Sequence, residues 1–75
     1  MNVIGDGTQQ PHERLSPQEY RVMCLIGTGK TVGEIAEILH LSVKTVSTHR
    51  TNLLKKLGLA NNAEIMRYCL DHDLT

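Results

Sequence analysis

The chain has 75 residues, enough for one small domain, and its eight basic and eight acidic residues give a formal net charge of zero. Phe and Trp are absent and Tyr20 and Tyr68 are the only tyrosines, so the core must come from Leu, Ile, Val, Met and Ala. No apolar run approaches the ~20 residues of a transmembrane helix, so we expect a cytoplasmic protein without a membrane partner.

The N-terminal segment, residues 1–14, is polar, contains Gly5, Gly7 and Pro11, and lacks a hydrophobic period. This composition predicts a disordered tail or interdomain linker. Linker and plain tail are both open interpretations. The remaining residues, 15–75, are predicted to form the folded domain.

The first predicted helix follows Ser16, which has the position of an N-cap. Pro17 suits the first helical position, and Glu19 stands where a capping box needs its acid. Gly27 and Gly29 are expected to end the helix. Its predicted apolar face contains Val22, Met23 and Ile26.

Two further helices are predicted across a tight turn. Thr31 caps the second helix with Glu34 at the box position, Ser42 caps the third, and Gly58 ends it. The turn lacks the Gly often found there. The apolar faces contain Val32, Ile35, Ala36 and Leu39 in the second helix, and Val43, Val46, Leu53, Leu54 and Leu57 in the third.

A fourth helix is predicted after Asn61, with Glu64 at the box position. Its apolar stripe contains Met66, Cys69, Leu70 and Leu74, and a neighbouring face carries Ile65, Tyr68 and His72. No segment alternates apolar and polar residues like a strand. The sequence therefore predicts an all-α domain of four helices.

Charge is distributed unevenly along the chain. Residues 41–60 contain no acid, and their cations are Lys44, Arg50, Lys55 and Lys56. Such a local basic surface on a neutral domain suits modest, salt-sensitive affinity for nucleic acid.

One face of the third helix has the character of a DNA-reading surface. At ~100° per residue, Lys44, Thr48, Thr51 and Lys55 share a narrow arc, flanked by Ser47 and Asn52. Hydroxyl and amide groups at its centre can meet base edges in a major groove, while lysines at its ends reach phosphates. The alternative is an ordinary solvated face, and the helix-turn-helix context favours DNA.

Other polar residues have less certain roles. Arg50 lies beside the core stripe, so its guanidinium is predicted to reach a phosphate or a carboxylate. Free backbone N–H groups near Thr31 and Val32 could bind a phosphate at the helix N-terminus. Thr31 could equally be a simple cap, and the two roles can hold together.

No cofactor is expected. Cys24 and Cys69 lie in apolar helical patterns and are predicted to be reduced core residues. His49 is interpreted as a semi-buried packing residue. None of the histidines combines with the cysteines at a zinc-ligand spacing.

These residues resemble the LuxR-type helix-turn-helix domain, and most closely the C-terminal effector domain of NarL/FixJ-group response regulators. The resemblance covers residues 15–74. It rests on LSPQE at residues 15–19, on the Gly29 loop and on TVGEIAEILHLSVKTVSTHRTNLLKKLGL at residues 31–59. Gly33 departs from the pattern, because Lys or Arg is common there.

The resemblance implies a fold of four helices whose third helix, residues 43–57, reads the major groove, usually as a dimer on paired half-sites. It places Ser47, Thr48 and Thr51 at base-facing positions. Lys44, Thr45 and Lys55 would lie near phosphates. The fourth helix would form the dimer interface, which fits the predicted exposed face of Ile65, Tyr68 and His72. A contact with a neighbouring domain is the competing interpretation of that face.

The function predicted is sequence-specific binding of double-stranded DNA by a bacterial transcriptional regulator of two-component type. RNA polymerase and an N-terminal receiver domain are left open as further partners. The alternatives are a stand-alone LuxR-type regulator, a sigma-factor domain, and a protein-interaction module that has lost DNA binding. An enzyme is not expected, because no nucleophile, base and orienting group converge in the sequence.

Overall fold

The computed structural model describes residues 11–74, which form a short 3₁₀ turn and four α-helices. The N-terminal turn spans Pro11–Arg14, and the helices are α1 (Pro17–Gly27), α2 (Val32–Leu39), α3 (Val43–Leu57) and α4 (Asn62–Asp71). No strand occurs within these described residues. The predicted all-α class and the four helices are confirmed.

Local signals at the helix ends act as predicted. Ser16 and Glu19 form a reciprocal capping box at the start of α1, and Thr31 and Glu34 form another at the start of α2. Each box satisfies two backbone N–H groups that would otherwise lack partners. Ser42 and Asn61 cap α3 and α4 by accepting from the N–H three residues on. The acid of the last predicted box behaves differently, since Glu64 accepts from the N–H of Ala60 rather than of Asn61.

The turn between α2 and α3 contains a residue in the left-handed conformation. His40 ends α2 with φ 58° and ψ 43°. Its successor, Leu41, returns a backbone hydrogen bond to the carbonyl of Ala36 at 2.9 Å. A left-handed residue at this point is usually Gly, and an L residue bears a conformational cost there. The turn of the helix-turn-helix therefore forms without glycine, and its conformational cost falls on His40.

A single core lies between the helices, and α1 is its centre. The helix α1 packs on α2, α3 and α4, while α2 also packs on α3. The fully or nearly fully buried apolar residues are Val22, Met23, Ile26, Ile35, Ala36, Val46, Leu53, Ile65 and Cys69. The predicted apolar faces of α1 and α2 supply five of these residues, Val22, Met23, Ile26, Ile35 and Ala36.

Two predicted core stripes need correction. Val43 is 54% exposed because it opens α3 ahead of the packed part of the helix, and the core side begins at Val46. On α4, Met66 and Leu70 are exposed, while Ile65 and Cys69 are buried. Apolar residues occur on both sides of α4, and docking against α1 selects the side that holds Ile65 and Cys69.

The predicted N-terminal tail is wrong for its last four residues. Pro11–Arg14 form the 3₁₀ turn, which packs beside α3 and contacts α4 through His12. The rest of the predicted tail, residues 1–10, lies outside the described residues. The domain therefore begins before the predicted boundary at Leu15.

Both cysteines are free thiols, as predicted. Cys69 is fully buried and its thiol faces the carbonyl of Met23, with 3.7 Å between Sγ and O. Burial raises the pKa of Cys69 to about 11, so it stays a neutral thiol at physiological pH. Across residues 11–74, none of the helices has the length and apolar character needed to span a bilayer.

Candidate nucleic-acid interface

The predicted reading face of α3 is fully accessible. Opposite it, Val46 and Leu53 are fully buried and fix the helix on the core. The exposed side chains on the outer side are Lys44, Thr45, Ser47, Thr48, Thr51, Asn52 and Lys55. The structure thus brings together all three predicted base-facing residues and the two lysines that bracket them.

Hydroxyl groups on this face differ in what they can offer a ligand. The Thr48 hydroxyl donates to the carbonyl oxygen of Lys44 at 3.1 Å, so its hydrogen is committed within the helix. The Thr45 hydroxyl accepts from the hydroxyl of Ser42 at 2.8 Å. A hydroxyl carries one donor and two acceptor lone pairs. Thr48 can therefore offer a ligand an acceptor but not its hydroxyl hydrogen.

Arg50 has a partner within the domain. Its Nε donates to Oδ1 of Asn62 at 2.6 Å, and both residues are half-buried. This bond joins α3 to the first residue of α4. The predicted carboxylate partner is replaced by an amide, and the two terminal nitrogens of the guanidinium stay outside this bond.

The N-terminus of α2 is occupied by its own capping box. The N–H of Thr31 donates to Oε1 of Glu34 at 2.9 Å, and the Thr31 hydroxyl accepts from the N–H of Glu34. The hydrogen bond from Thr31 helps to lower the pKa of Glu34, so the carboxylate is charged at neutral pH. The predicted free N–H of Thr31 is therefore wrong, because a carboxylate already holds it. Val32 is half-buried and opens the helix beside this charge.

An ion pair between an exposed lysine and a buried carboxylate, which no sequence pattern indicates, supports α3 on the side of the helix that faces α1. Nζ of Lys56 lies 2.7 Å from Oε1 of Glu19, whose side chain is only 7% exposed. Burial alone would raise the pKa of Glu19. The hydrogen bond from Lys56 and the bonds from Ser16 outweigh burial and hold that pKa below its ordinary value of 4.5. The ammonium of Lys56 is thereby directed toward α1 and away from the reading face.

The predicted dimerisation face of α4 is only partly accessible. Ile65 is fully buried in the core, so its predicted part in an interface is wrong. Tyr68 and His72 are half-buried and lie against His12 of the same chain. Their part in dimerisation stays a prediction. The large accessible apolar side chains on α4 are instead Met66, 40% exposed, and Leu70, 67% exposed.

Charges on α4 accompany these exposed apolar residues. Arg67 and Asp71, one turn apart, approach to 3.7 Å between Nε and Oδ2. Their side chains are both well exposed, so this pair contributes little to stability. Arg67 and Asp71 place one cation and one anion beside Met66 and Leu70.

Throughout the part of the chain that the structure describes, no three His, Cys, Asp or Glu side chains are grouped to hold a metal ion. His49, half-buried on α3, occupies the intermediate position predicted for it.

Comparison with known proteins agrees with this geometry. The sequence profile described as bacterial regulatory proteins, luxR family, matches residues 13–69. The transcriptional regulatory protein MctR of Rhizobium johnstonii is 39% identical over 72 residues, which cover 96% of this chain and 34% of that protein. The transcriptional regulatory protein LiaR of Bacillus subtilis is 45% identical over 58 residues, covering 77% of this chain and 28% of LiaR. The oxygen regulatory protein NreC of Staphylococcus aureus is 42% identical over 67 residues, covering 89% of this chain and 31% of NreC.

The chain spans about a third of the length of these relatives. The matched residues include all of α1, α2 and α3 and most of α4. The chain therefore belongs to the luxR family of bacterial regulatory proteins.

Proposed function

We propose that α3 enters the major groove of double-stranded DNA and directs Ser47, Thr48 and Thr51 to base edges. The observation that carries this proposal is the exposed, acid-free outer face of α3, bracketed by Lys44 and Lys55. Short side chains at the centre let the helix backbone approach the bases closely. Because no Arg or Lys lies at the centre, sequence preference would come from hydroxyl and methyl contacts.

Phosphate contacts are proposed around this centre. Lys44, Thr45 and Lys55 are exposed at the margins of the face, where the two sugar–phosphate strands would pass. Arg50 can add a contact through its terminal nitrogens while Nε stays on Asn62. The backbone N–H of Val32 is proposed as a further phosphate contact, which the adjoining carboxylate of Glu34 would weaken by charge repulsion.

The proposal is tested by selecting duplexes from a random pool and measuring affinities by mobility shift. The parent domain should prefer particular sites, and Thr51→Ala should alter that preference by ~1 kcal/mol or more at one base-pair position. A uniform loss over all duplexes would remove Thr51 from base reading. No binding to any duplex at low salt would favour a module that has lost DNA binding.

We also propose that two copies associate through α4 when paired half-sites are occupied. Met66 and Leu70 are exposed on one side of the helix, with Arg67 and Asp71 beside them. Two helices related by a two-fold axis would bury the apolar pair and could pair each Arg67 with the other copy's Asp71. Ile65 is buried and is left out of this surface, whereas Tyr68 and His72 stay predicted contributors to the interface.

Dimerisation is tested with Leu70→Asp on DNA carrying one or two half-sites. The variant should bind a single half-site like the parent and lose cooperative binding to two. Ile38→Asp is the matched control, because Ile38 is a comparably exposed apolar residue on α2. Equal loss in both variants, or loss on single sites, would contradict an α4 interface.

In the intact regulator, we propose that this domain is the cytoplasmic output module of a response regulator. The support is the likeness to transcriptional regulators of about three times its length. A receiver domain would supply the signal and RNA polymerase would receive the output. Sequencing the complete reading frame tests whether a receiver domain is present.

A further inference from the structure

The first residue of α4 holds the only arginine of α3. Nε of Arg50 donates to Oδ1 of Asn62 at 2.6 Å, and both side chains are half-buried. A guanidinium carries donors only, so the amide of Asn62 must present its oxygen to it. The bond uses one of the five N–H groups of Arg50. It restricts the rotation of the planar group and leaves four N–H groups on the terminal nitrogens for another ligand.

This partner does not neutralise the charge of Arg50. Asn62 is a neutral amide, and neither of the ion pairs formed among residues 11–74 includes Arg50. Lys56 differs, because the carboxylate of Glu19 lies 2.7 Å from its Nζ. Both cations of α3 have a partner inside the domain. Arg50 alone of the two is oriented by its partner without losing its charge to an acid.

The position of Arg50 on α3 is the margin between the core side and the reading face. Val46, four residues earlier, and Leu53, three residues later, are its neighbours on the helix surface, and both are fully buried. Ser47, three residues earlier, is its neighbour on the other side and is exposed. A sugar–phosphate strand that borders the reading face at Ser47 would therefore pass beside the guanidinium.

We propose that Asn62 is a positioning residue, which holds the guanidinium of Arg50 so that its terminal nitrogens meet a DNA phosphate. Two N–H groups of a guanidinium match two phosphate oxygens, and a side chain that is ordered before binding loses less entropy on forming that contact. The partner has to be neutral, because a carboxylate at position 62 would orient Arg50 but also pair with its charge. This inference rests on the proposed entry of α3 into the major groove.

The experiment is a double-mutant cycle of DNA affinity, measured by mobility shift on one selected duplex. Asn62→Ala leaves the N-cap of α4, Asn61, in place. It should weaken binding about two- to tenfold, the cost of ordering one long side chain during binding. Arg50→Ala should weaken binding at least as much. Once Arg50 is alanine, Asn62→Ala should cause no further loss, because the two residues act as one unit.

The outcomes of the cycle separate this inference from the proposed function. Losses that multiply in the double variant would overturn the positioning role, since Asn62 would then act on DNA without Arg50. An unchanged affinity in Arg50→Ala would overturn it as well, while DNA binding by the parent would leave the proposed function standing. A parent that binds no duplex would overturn the proposed function and this inference with it.

A second pair of variants separates the charge of Arg50 from its orientation. Asn62→Asp keeps an acceptor for Nε but neutralises Arg50, so the slope of log affinity against log salt should fall by ~0.9. Asn61→Asp is the matched control. It adds the same charge one position earlier, outside the bond to Arg50, and Asp caps a helix as well as Asn does. Its slope should stay closer to that of the parent, and equal slopes in the two variants would overturn the need for a neutral partner.

Thermal unfolding distinguishes positioning from a merely structural role. An acid in the first turn of a helix is favourable, and at position 62 it would also pair with Arg50. Asn62→Asp should therefore unfold at the same temperature as the parent or at a higher one, although its DNA affinity falls. A fall in unfolding temperature that accompanies the loss of affinity would mean that Asn62 serves the fold and would overturn the proposal.

Discussion

Nζ of Lys56 lies 2.7 Å from Oε1 of Glu19 and connects the end of the reading helix to the start of α1. The same carboxylate oxygen accepts the N–H of Ser16 at 3.0 Å. Glu19→Ala removes a cap contact and leaves Lys56 without its partner. We expect a loss of about 2 kcal/mol in the free energy of unfolding, below the ~3–5 kcal/mol of a fully buried pair because Lys56 is 42% exposed. Urea titration of the parent and of Glu19→Ala measures this loss of free energy.

The matched control is Glu34→Ala, which removes the acid of the second capping box. Its carboxylate is exposed, and the interaction it loses is local to α2. We expect a clearly smaller loss of stability than in Glu19→Ala. Equal losses would mean that capping alone explains the effect and that Lys56 contributes nothing.

Lowering the pH should weaken the ion pair between Glu19 and Lys56. The pKa of Glu19 is lower in the folded domain than its ordinary value of 4.5, so the unfolded chain binds its proton first as pH falls. The contribution of Glu19 is therefore present above about pH 4.5 and is lost as pH falls through the lowered pKa. The difference in unfolding free energy between the parent and Glu19→Gln should shrink as the pH falls below 4.5 and through the lowered pKa. A constant difference from pH 7 to pH 3 would contradict this linkage.

Features that depend on neighbours in the sequence were predictable. Both capping boxes form because an acid three residues after Ser16 or Thr31 reaches back to the N-cap N–H. The helix ends and the outer face of α3 were predictable for the same reason, because they too depend on residues close in sequence.

Two errors arose within this local logic. The N–H of Thr31 is held by Glu34 and is not free for a phosphate. Glu64 accepts from the N–H of Ala60 and does not complete a box at Asn61.

Features that depend on docking were not predictable from the pattern. The apolar pairs of α4 alternate as Ile65 and Met66, then Cys69 and Leu70, so two faces of the helix fit a core equally well. Contact with α1 decides between them. The pairing of Glu19 with Lys56 joins residues 37 positions apart, and no local spacing indicates it.

Removing a lysine from the margin of α3 should change the salt dependence of DNA binding. Lys55→Ala is expected to weaken binding on all duplexes and to reduce the slope of log affinity against log salt by ~0.9, the effect of one lost phosphate contact. Arg21→Ala is the control, because Arg21 is an exposed cation on α1, outside both proposed interfaces. Mobility shifts between low and moderate salt measure both slopes, and identical slopes would remove Lys55 from the phosphate contacts.

The helix-turn-helix corner should be improved by glycine. His40 has φ 58°, a conformation that costs an L residue ~1–2 kcal/mol and glycine far less. After the larger entropy loss of glycine on folding, we expect His40→Gly to raise the free energy of unfolding by up to ~1 kcal/mol. His40→Ala removes the imidazole but keeps the strain. A gain in the alanine variant equal to that in glycine would show that the side chain, not φ, limits stability.

Gly33 offers the reverse test, because its backbone does not need glycine. A Cβ added there would meet only Thr31 Oγ1 at 3.9 Å, which is an ordinary contact. Gly33→Ala should stabilise the domain by up to ~1 kcal/mol, and Gly33→Lys should do so while steepening the salt dependence of DNA binding. Gly58→Ala is the matched control, since Gly58 has φ 70° and the same substitution should destabilise. Thermal unfolding compares the three variants, and a loss of stability in Gly33→Ala would mean that α2 needs glycine for a reason other than space.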